Sequence, residues 1–234
     1  MKEFIYLGTE LEIFAQAKNW KNYVRLLLSK FIKGDVLEVG AGIGSNTILL
    51  RCCQYNSWFC LEPDNQLFQA LEKSIDFSNI PNCVTYNGTI DSLSDQELFD
   101  SILYIDVLEH IENDREEARK AYQHLKSNGN LIILVPAHQW LFTPFDKAIG
   151  HYRRYNKVTL EAILPEDIEV VKMIYLDSVG LLASLANKMF LKQSQPTLKQ
   201  IKLWDNLMVP LSKKLDPVLG YTLGKSILLI GKKN

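Results

Sequence analysis

Three alternating glycines in Val36-Leu37-Glu38-Val39-Gly40-Ala41-Gly42-Ile43-Gly44-Ser45-Asn46-Thr47 carry an apolar run into a helical one. Glycine allows a tight turn and lets a ligand lie against bare backbone. The dinucleotide form of such a loop, GxGxxG, seats a pyrophosphate on the helix N-terminus. Here the spacing is Gly40-x-Gly42-x-Gly44, Ser45 stands where the late glycine would fall, and Glu38 precedes the first glycine by two residues. A carboxylate there repels pyrophosphate and suits a ligand bearing an ammonium or sulfonium group. Twenty residues past Gly42, Leu61-Glu62-Pro63-Asp64 closes a second apolar run. An acid at that distance can accept from both ribose hydroxyls of a nucleoside. The competing role, a helix N-terminal acid favoured by the dipole, fits Asp64 better than Glu62.

Proton handling falls to histidine, whose unperturbed pKa suits a general base. His110, His138 and His151 each follow an apolar run and are the catalytic candidates; His124, in a helical pattern, reads as structural. For His110 a packing role at the start of the next helix competes. His151 belongs to Gly150-His151-Tyr152-Arg153-Arg154-Tyr155. Arg153 and Arg154 can fork onto a substrate carboxylate or phosphate; equally, one can pair with Asp146 and pin the loop. Trp140, Phe142, Phe145, Tyr152 and Tyr155 crowd residues 137–155 and suggest a lid over an apolar acceptor. Trp140, Phe145, Tyr152, Arg153, Arg154 and Tyr155 are therefore the candidate substrate contacts.

These groups need a scaffold that gathers loop ends. Residues 10–32 have the spacing of one amphipathic helix, stopped by Gly34-Asp35. Strands are predicted at Asp35–Val39, Ser57–Leu61, Cys83–Asn87, Phe99–Ile105, Asn130–Val135, Ile168–Tyr175 and Ile227–Gly231, with helices at Gly44–Tyr55, Asn65–Ile75 and Asp114–Leu125 among the first five. A run such as Leu131–Val135 is what a sheet covered on both faces requires. Alternation of strand and helix implies a doubly wound parallel sheet with ligands at the carboxyl ends of its strands. The stretch between the last two strands is too long for a bare loop. It carries two helical apolar faces, Val179–Met189 and Leu198–Leu211, read as a cap over the sheet.

On Glu38–Gly44, Glu62, Gly88-Thr89-Ile90 and Phe99-Asp100 to Asp106-Val107-Leu108-Glu109-His110-Ile111, the chain resembles the class I S-adenosylmethionine-dependent methyltransferases, small-molecule branch. The resemblance covers about Gly34 to Val135. It implies a Rossmann-like α/β fold with a seven-stranded, mostly parallel sheet whose last strand is antiparallel. It also implies S-adenosyl-L-methionine as cofactor, with Gly40 and Gly42 beside its methionine part, Glu62 on its ribose, Thr89 and Ile90 along adenine and Asp106 near the methionine end. Glu38, Gly44, Asn46, Pro63 and Val107 complete the expected cofactor set. The segment from Val135 to Tyr155 is similar to a GHxRRY-containing subgroup associated with envelope, glycan or secondary-metabolite biosynthesis. One domain is expected: a helical segment 1–33, a cofactor-binding core 34–177, a helical cap 178–220 and a last strand 221–234.

Composition excludes several other classes. The 234 residues are 47% hydrophobic and 23% charged, which is not a disordered profile. No apolar stretch is long enough to span a membrane, the start of the chain lacks a signal-peptide pattern, and four cysteines without a CxxC pair suit a reduced, cytoplasmic protein. His and Cys lack metal-ligand spacing, so metal-free transfer is expected. No basic–aromatic surface points to nucleic acid. No [Asp/Asn]-Pro-Pro-aromatic tetrapeptide follows the fourth strand, which argues against adenine or glutamine N-methylation.

The expected reaction is direct methyl transfer to a small, partly apolar molecule, with oxygen the first-choice acceptor and carbon or nitrogen open. The rivals are a catalytically silent cofactor-binding subunit and a nicotinamide-dependent oxidoreductase. From Ser178 onward there are nine lysines and two acids, Asp205 and Asp216. This basic excess leaves three uses for 178–220: a lid over the acceptor first, a contact with an anionic membrane surface second, or a dimer interface. The oligomeric state is open between monomer and dimer.

Overall fold

The computed structural model describes residues 10–51, 53–186 and 197–234. Seven strands form one sheet: β1 (Asp35–Val39), β2 (Ser57–Glu62), β3 (Cys83–Asn87), β4 (Phe99–Ile105), β5 (Leu125–Pro136), β6 (Ile168–Leu176) and β7 (Ser226–Lys233). Their order is β3-β2-β1-β4-β5-β7-β6, with β7 antiparallel to both its neighbours and the other pairs parallel. The strand order reverses between β1 and β4, and the crevice at that switch point is where such sheets hold ligands.

Alternate residues of each strand feed opposite faces. Val36, Trp58, Leu103, Ile132, Leu134 and Leu228 pack under α2 (Lys18–Leu28), α3 (Ser45–Leu50) and α4 (Asn65–Ser78). Leu37, Ile102, Tyr104, Ile133 and Leu229 pack under α5 (Asp114–Gln123) and α7 (Lys157–Glu161), with the short α6 (Pro144–Ala148) between them in the chain. Both clusters are continuous, which explains strands without polar alternation.

Two expectations need correction. The single helix of residues 10–32 is two, α1 (Glu10–Ala15) and α2, broken at Gln16-Ala17. Ala17 has no side chain to cap α2; Asp205, distant in sequence, does so by accepting from the N–H groups of Asn19 at 3.1 Å and Trp20 at 2.8 Å. The predicted helix Gly44–Tyr55 ends at Leu50.

Of the insertion, the structure describes α8 (Ser178–Ala186), then α9 (Leu198–Leu203), a π turn (Trp204–Met208) and α10 (Val209–Val218) in one rod. The rod packs on α2 and joins the sheet face through Ile201, Trp204 and Val209. Asp216 is wholly buried and accepts from Tyr23 Oη, Ser178 Oγ and the N–H groups of Asp177 and Ser178. Among the described residues no helix is long and apolar enough to cross a membrane.

Candidate functional site

Strand β1 runs through the glycine loop into α3, and Gly40, Gly42 and Gly44 all take positive φ (67°, 57° and 79°). At Gly40 a side chain is excluded twice over, because an added Cβ would lie 2.7 Å from Val107 Cγ2. The loop forms one wall of a cleft. Phe14, Trp20, Lys21 and Val24 of α1 and α2 form another, with Asp106, Ile105 and Leu134 on the floor.

Of the residues expected to hold the cofactor, Gly40, Gly42, Asn46 and Asp106 line this cleft. Asp106 follows β4 with φ of 56°, a strained position for a non-glycine residue. It is exposed onto the cleft, whose walls displace part of its surrounding water. That enclosure pushes its carboxyl up, against the charges of His151, Lys21 and Lys225.

Glu62 closes the far side of the loop. Its Oε2 accepts from Gly42 N at 2.8 Å and its Oε1 from Asp64 N at 2.9 Å. A carboxylate has about four acceptor positions, so each oxygen keeps capacity for a ribose hydroxyl. Burial raises the Glu62 pKa, partly offset by those two N–H donors. Asp64 caps α4 through the N–H groups of Gln66 and Leu67, the division of labour expected for these two acids, with Pro63 between them. Gly88 N donates to Glu62 O, which sets the Thr89–Ile90 turn beside this corner. The Ile90 side chain itself is buried in the core.

Three members of the expected cofactor set have their own structural tasks. Glu38 is 2% exposed and turned beneath the loop, where its Oε2 accepts from Thr47 Oγ1 at 2.7 Å and Trp58 Nε1 at 3.0 Å. Burial lifts its pKa to about 7 despite those donors. It braces the loop from below instead of meeting an ammonium group. Gly44 caps α3 in the left-handed region with Leu71 packed against it, and Val107 fills the space beside Gly40.

Sequence reasoning missed Lys21. Its ammonium donates to Ser45 Oγ and Asn46 Oδ1 across the cleft. Burial lowers its pKa to about 8, while Asp106 and Glu38 act to hold the proton on. Nothing in an amphipathic helix separates such a lysine from a solvated one before α2 docks.

The second expected cluster forms around β4's carboxyl end. His151 Nδ1 lies 3.1 Å from Asp146 Oδ1, and its Nε2 lies 3.9 Å from Glu109 Oε1. His110 meets the His151 ring edge-on at a centroid distance of 4.5 Å. Burial, then the charge of His151, holds His110 down to about 4, so its ring is neutral at physiological pH. Glu109 is 1% exposed with Oε2 lacking a hydrogen-bond partner, and burial and then Asp106 push its pKa well up. Glu109, His110 and His151 present one metal-ligand atom each within 4.8 Å of one another, a grouping that the sequence spacing did not show.

His138 stands apart. It stacks on Tyr175 and its Nε2 is 3.0 Å from Gly224 O, so it ties the loop after β5 to the start of β7. The expected substrate contacts also divide. Tyr155 is buried and donates to Asp114 Oδ2 at 2.7 Å and Leu108 O. Arg153 pairs with Asp114 at 2.8 Å and Arg154 with Asp146 at 2.7 Å. In the structure these three side chains bind buried carboxylates, which need charge and hydrogen-bond compensation. Trp140 and Tyr152 remain exposed and Phe145 half-buried.

The expectation for the insertion is corrected. Trp204 and Met208 do not line the cleft; Trp204 stands one layer behind it, 5.8 Å from Trp20 and 6.3 Å from Phe14, with its indole N–H on Asp177. Met189 lies outside the described residues. Among the described residues, α1 and α2 are the helices that line the cleft opposite the glycine loop.

Residues 11–169 match the family model described as "Methyltransferase domain", and the chain belongs to that family. No curated protein matches it. Solved structures share the fold at low identity. YcgJ of Bacillus subtilis is 15% identical with a TM-score of 0.62, over 91% of this chain and 98% of that one. An S-adenosylmethionine-dependent methyltransferase of Clostridium acetobutylicum is 12% identical with a TM-score of 0.61, over 96% of each chain. The N-methyltransferase NodS of Bradyrhizobium japonicum, solved with S-adenosyl-L-homocysteine, is 16% identical with a TM-score of 0.57, over 94% and 87%.

Proposed function

We propose that this methyltransferase moves a methyl group from S-adenosylmethionine to a hydroxyl of a small, partly apolar molecule. The cofactor's needs fit the residues present: unfilled acceptor positions on Glu62 for ribose, bare backbone at Gly40 and Gly42, the Lys21 ammonium for a carboxylate and Asp106 for an ammonium group. Bound there, the cofactor supplies a methyl group already activated on a sulfonium, which leaves the protein to orient the acceptor and handle its proton. Phe14, Trp20 and Val24 give the acceptor an apolar wall.

The observation that carries the reaction type is the Asp146–His151 pair beside Asp106. The buried Asp146 carboxylate on Nδ1 orients the imidazole, so that Nε2, on the side of Glu109, is the nitrogen that would take the proton of the acceptor oxygen. A silent cofactor-binding subunit has no use for such a base.

The test supplies isotopically labelled S-adenosylmethionine with fractionated small-molecule extracts and follows labelled product. His151→Gln should lower turnover by about 10²–10⁴-fold with cofactor affinity unchanged. Tight cofactor binding without transfer to any fraction would instead establish the silent subunit. Label on nitrogen or carbon would remove the hydroxyl acceptor.

A further inference from the structure

The rod α9–π turn–α10 spends its inner side on the fold and leaves its outer side without a partner among the described residues. Leu203, Leu207, Leu211 and Leu215 recur every fourth residue along it, each between 43% and 55% exposed, and Val218 is 81% exposed. Four residues overrun a 3.6-residue turn by about 40°, and the wider π turn at Trp204–Met208 takes back part of that drift. The leucines therefore keep close to one line.

The charges are sorted as sharply. Lys199, Lys202, Lys213 and Lys214 are exposed on the same rod. Its two acids, Asp205 and Asp216, are 3% and 0% exposed and are held inward by backbone N–H groups of α2 and of the turn into α8. Every exposed charge from Leu198 to Val218 is thus positive. An exposed apolar line marks an interaction site, and a rod that adds to it only positive exposed charge has the chemistry of a helix lying in a lipid interface.

We infer that this face rests on an anionic lipid surface, with the leucines at the headgroup–acyl boundary and the lysines reaching the headgroup phosphates. A second copy fits worse, because a two-fold interface would set the same lysines against each other. Since α9 touches α1 and α10 touches α2, the two helices that line the cleft, a bound molecule would hold its cleft wall beside the lipid. The inference stands independently of methyl transfer.

The test is flotation of the full chain with vesicles of phosphatidylcholine alone or mixed with phosphatidylglycerol. Wild type should bind the mixed vesicles at low salt and lose about tenfold or more on neutral vesicles or at high salt. Leu207→Glu with Leu211→Glu should abolish binding, and Lys213→Glu with Lys214→Glu should remove its salt sensitivity. Both pairs are exposed, so circular dichroism and S-adenosylmethionine affinity should be unchanged. No preference for anionic vesicles, or leucine variants that bind like wild type, would overturn the inference. So would a wild-type dimer that these variants convert to monomer, which would assign the face to a second copy.

Discussion

Glu62 grips Gly42, accepting its backbone N–H at 2.8 Å from a neighbouring strand. The bond joins the acid expected on ribose to the glycine expected beside the methionine part, and so ties the end of β2 to the glycine loop. Glu62→Ala should weaken S-adenosylmethionine binding by about 2–3 kcal/mol, the loss of hydrogen bonds to a charged acceptor. Because Glu62 is 4% exposed and holds two N–H groups, the variant should also melt at lower temperature. Calorimetry showing unchanged affinity would displace the ribose from this corner.

Lys21 should give cofactor binding its own pH signature. Its pKa of about 8 means that its charge falls away just above physiological pH. Affinity for S-adenosylmethionine should drop as pH rises through that value in wild type. Lys21→Gln should bind about tenfold or more weakly at pH 7 and lose that slope. Parallel slopes in the two proteins would exclude Lys21 from the carboxylate.

Stability should respond to Glu38 in the opposite sense to an ordinary ion-paired acid. Its pKa rises from 4.5 to about 7 on folding, so between these values the folded chain holds a proton that the unfolded chain has released. Stability then falls as pH rises through that window, by up to about 3 kcal/mol. His110, lowered from 6.5 to about 4, works the other way. The difference between wild type and Glu38→Gln isolates the Glu38 contribution: in denaturant melts, wild type should lose stability relative to the variant on going from pH 5 to pH 8. Equal changes in the two proteins would mean that Glu38 is ionised throughout.

Asp205 is a cap supplied from the far end of the chain. Asp205→Ala should destabilise the fold by about 1–2 kcal/mol, since the first N–H groups of α2 lose their acceptor. The same variant should weaken cofactor binding, because α2 carries Trp20 and Lys21 into the cleft. A thermal melt within error of wild type would show that water replaces the carboxylate at no cost.

The sequence by itself determined the sheet, because a strand buried on both faces must be apolar throughout and a glycine-rich strand-to-helix turn has few alternatives. Five of the seven predicted strands recur with at most one residue of difference at either end; β5 and β7 are longer, since Lys126–Gly129 after Leu125 and Lys232–Lys233 extend the ladder with residues that carry no apolar signal. Glu62 and Asp64 were separable too, because capping acts within three residues of its own helix. What only the tertiary structure decided is where long side chains spend their charge. Glu38 turning beneath its loop, Lys21 entering the cleft, Arg153 and Arg154 consumed by Asp114 and Asp146, and Asp205 capping α2 all depend on partners 8 to 186 residues away. Local periodicity tells which face of an element is apolar, but not which distant carboxylate or backbone end will be buried against it. That pairing is fixed only when the elements dock and each buried charge must find its compensation.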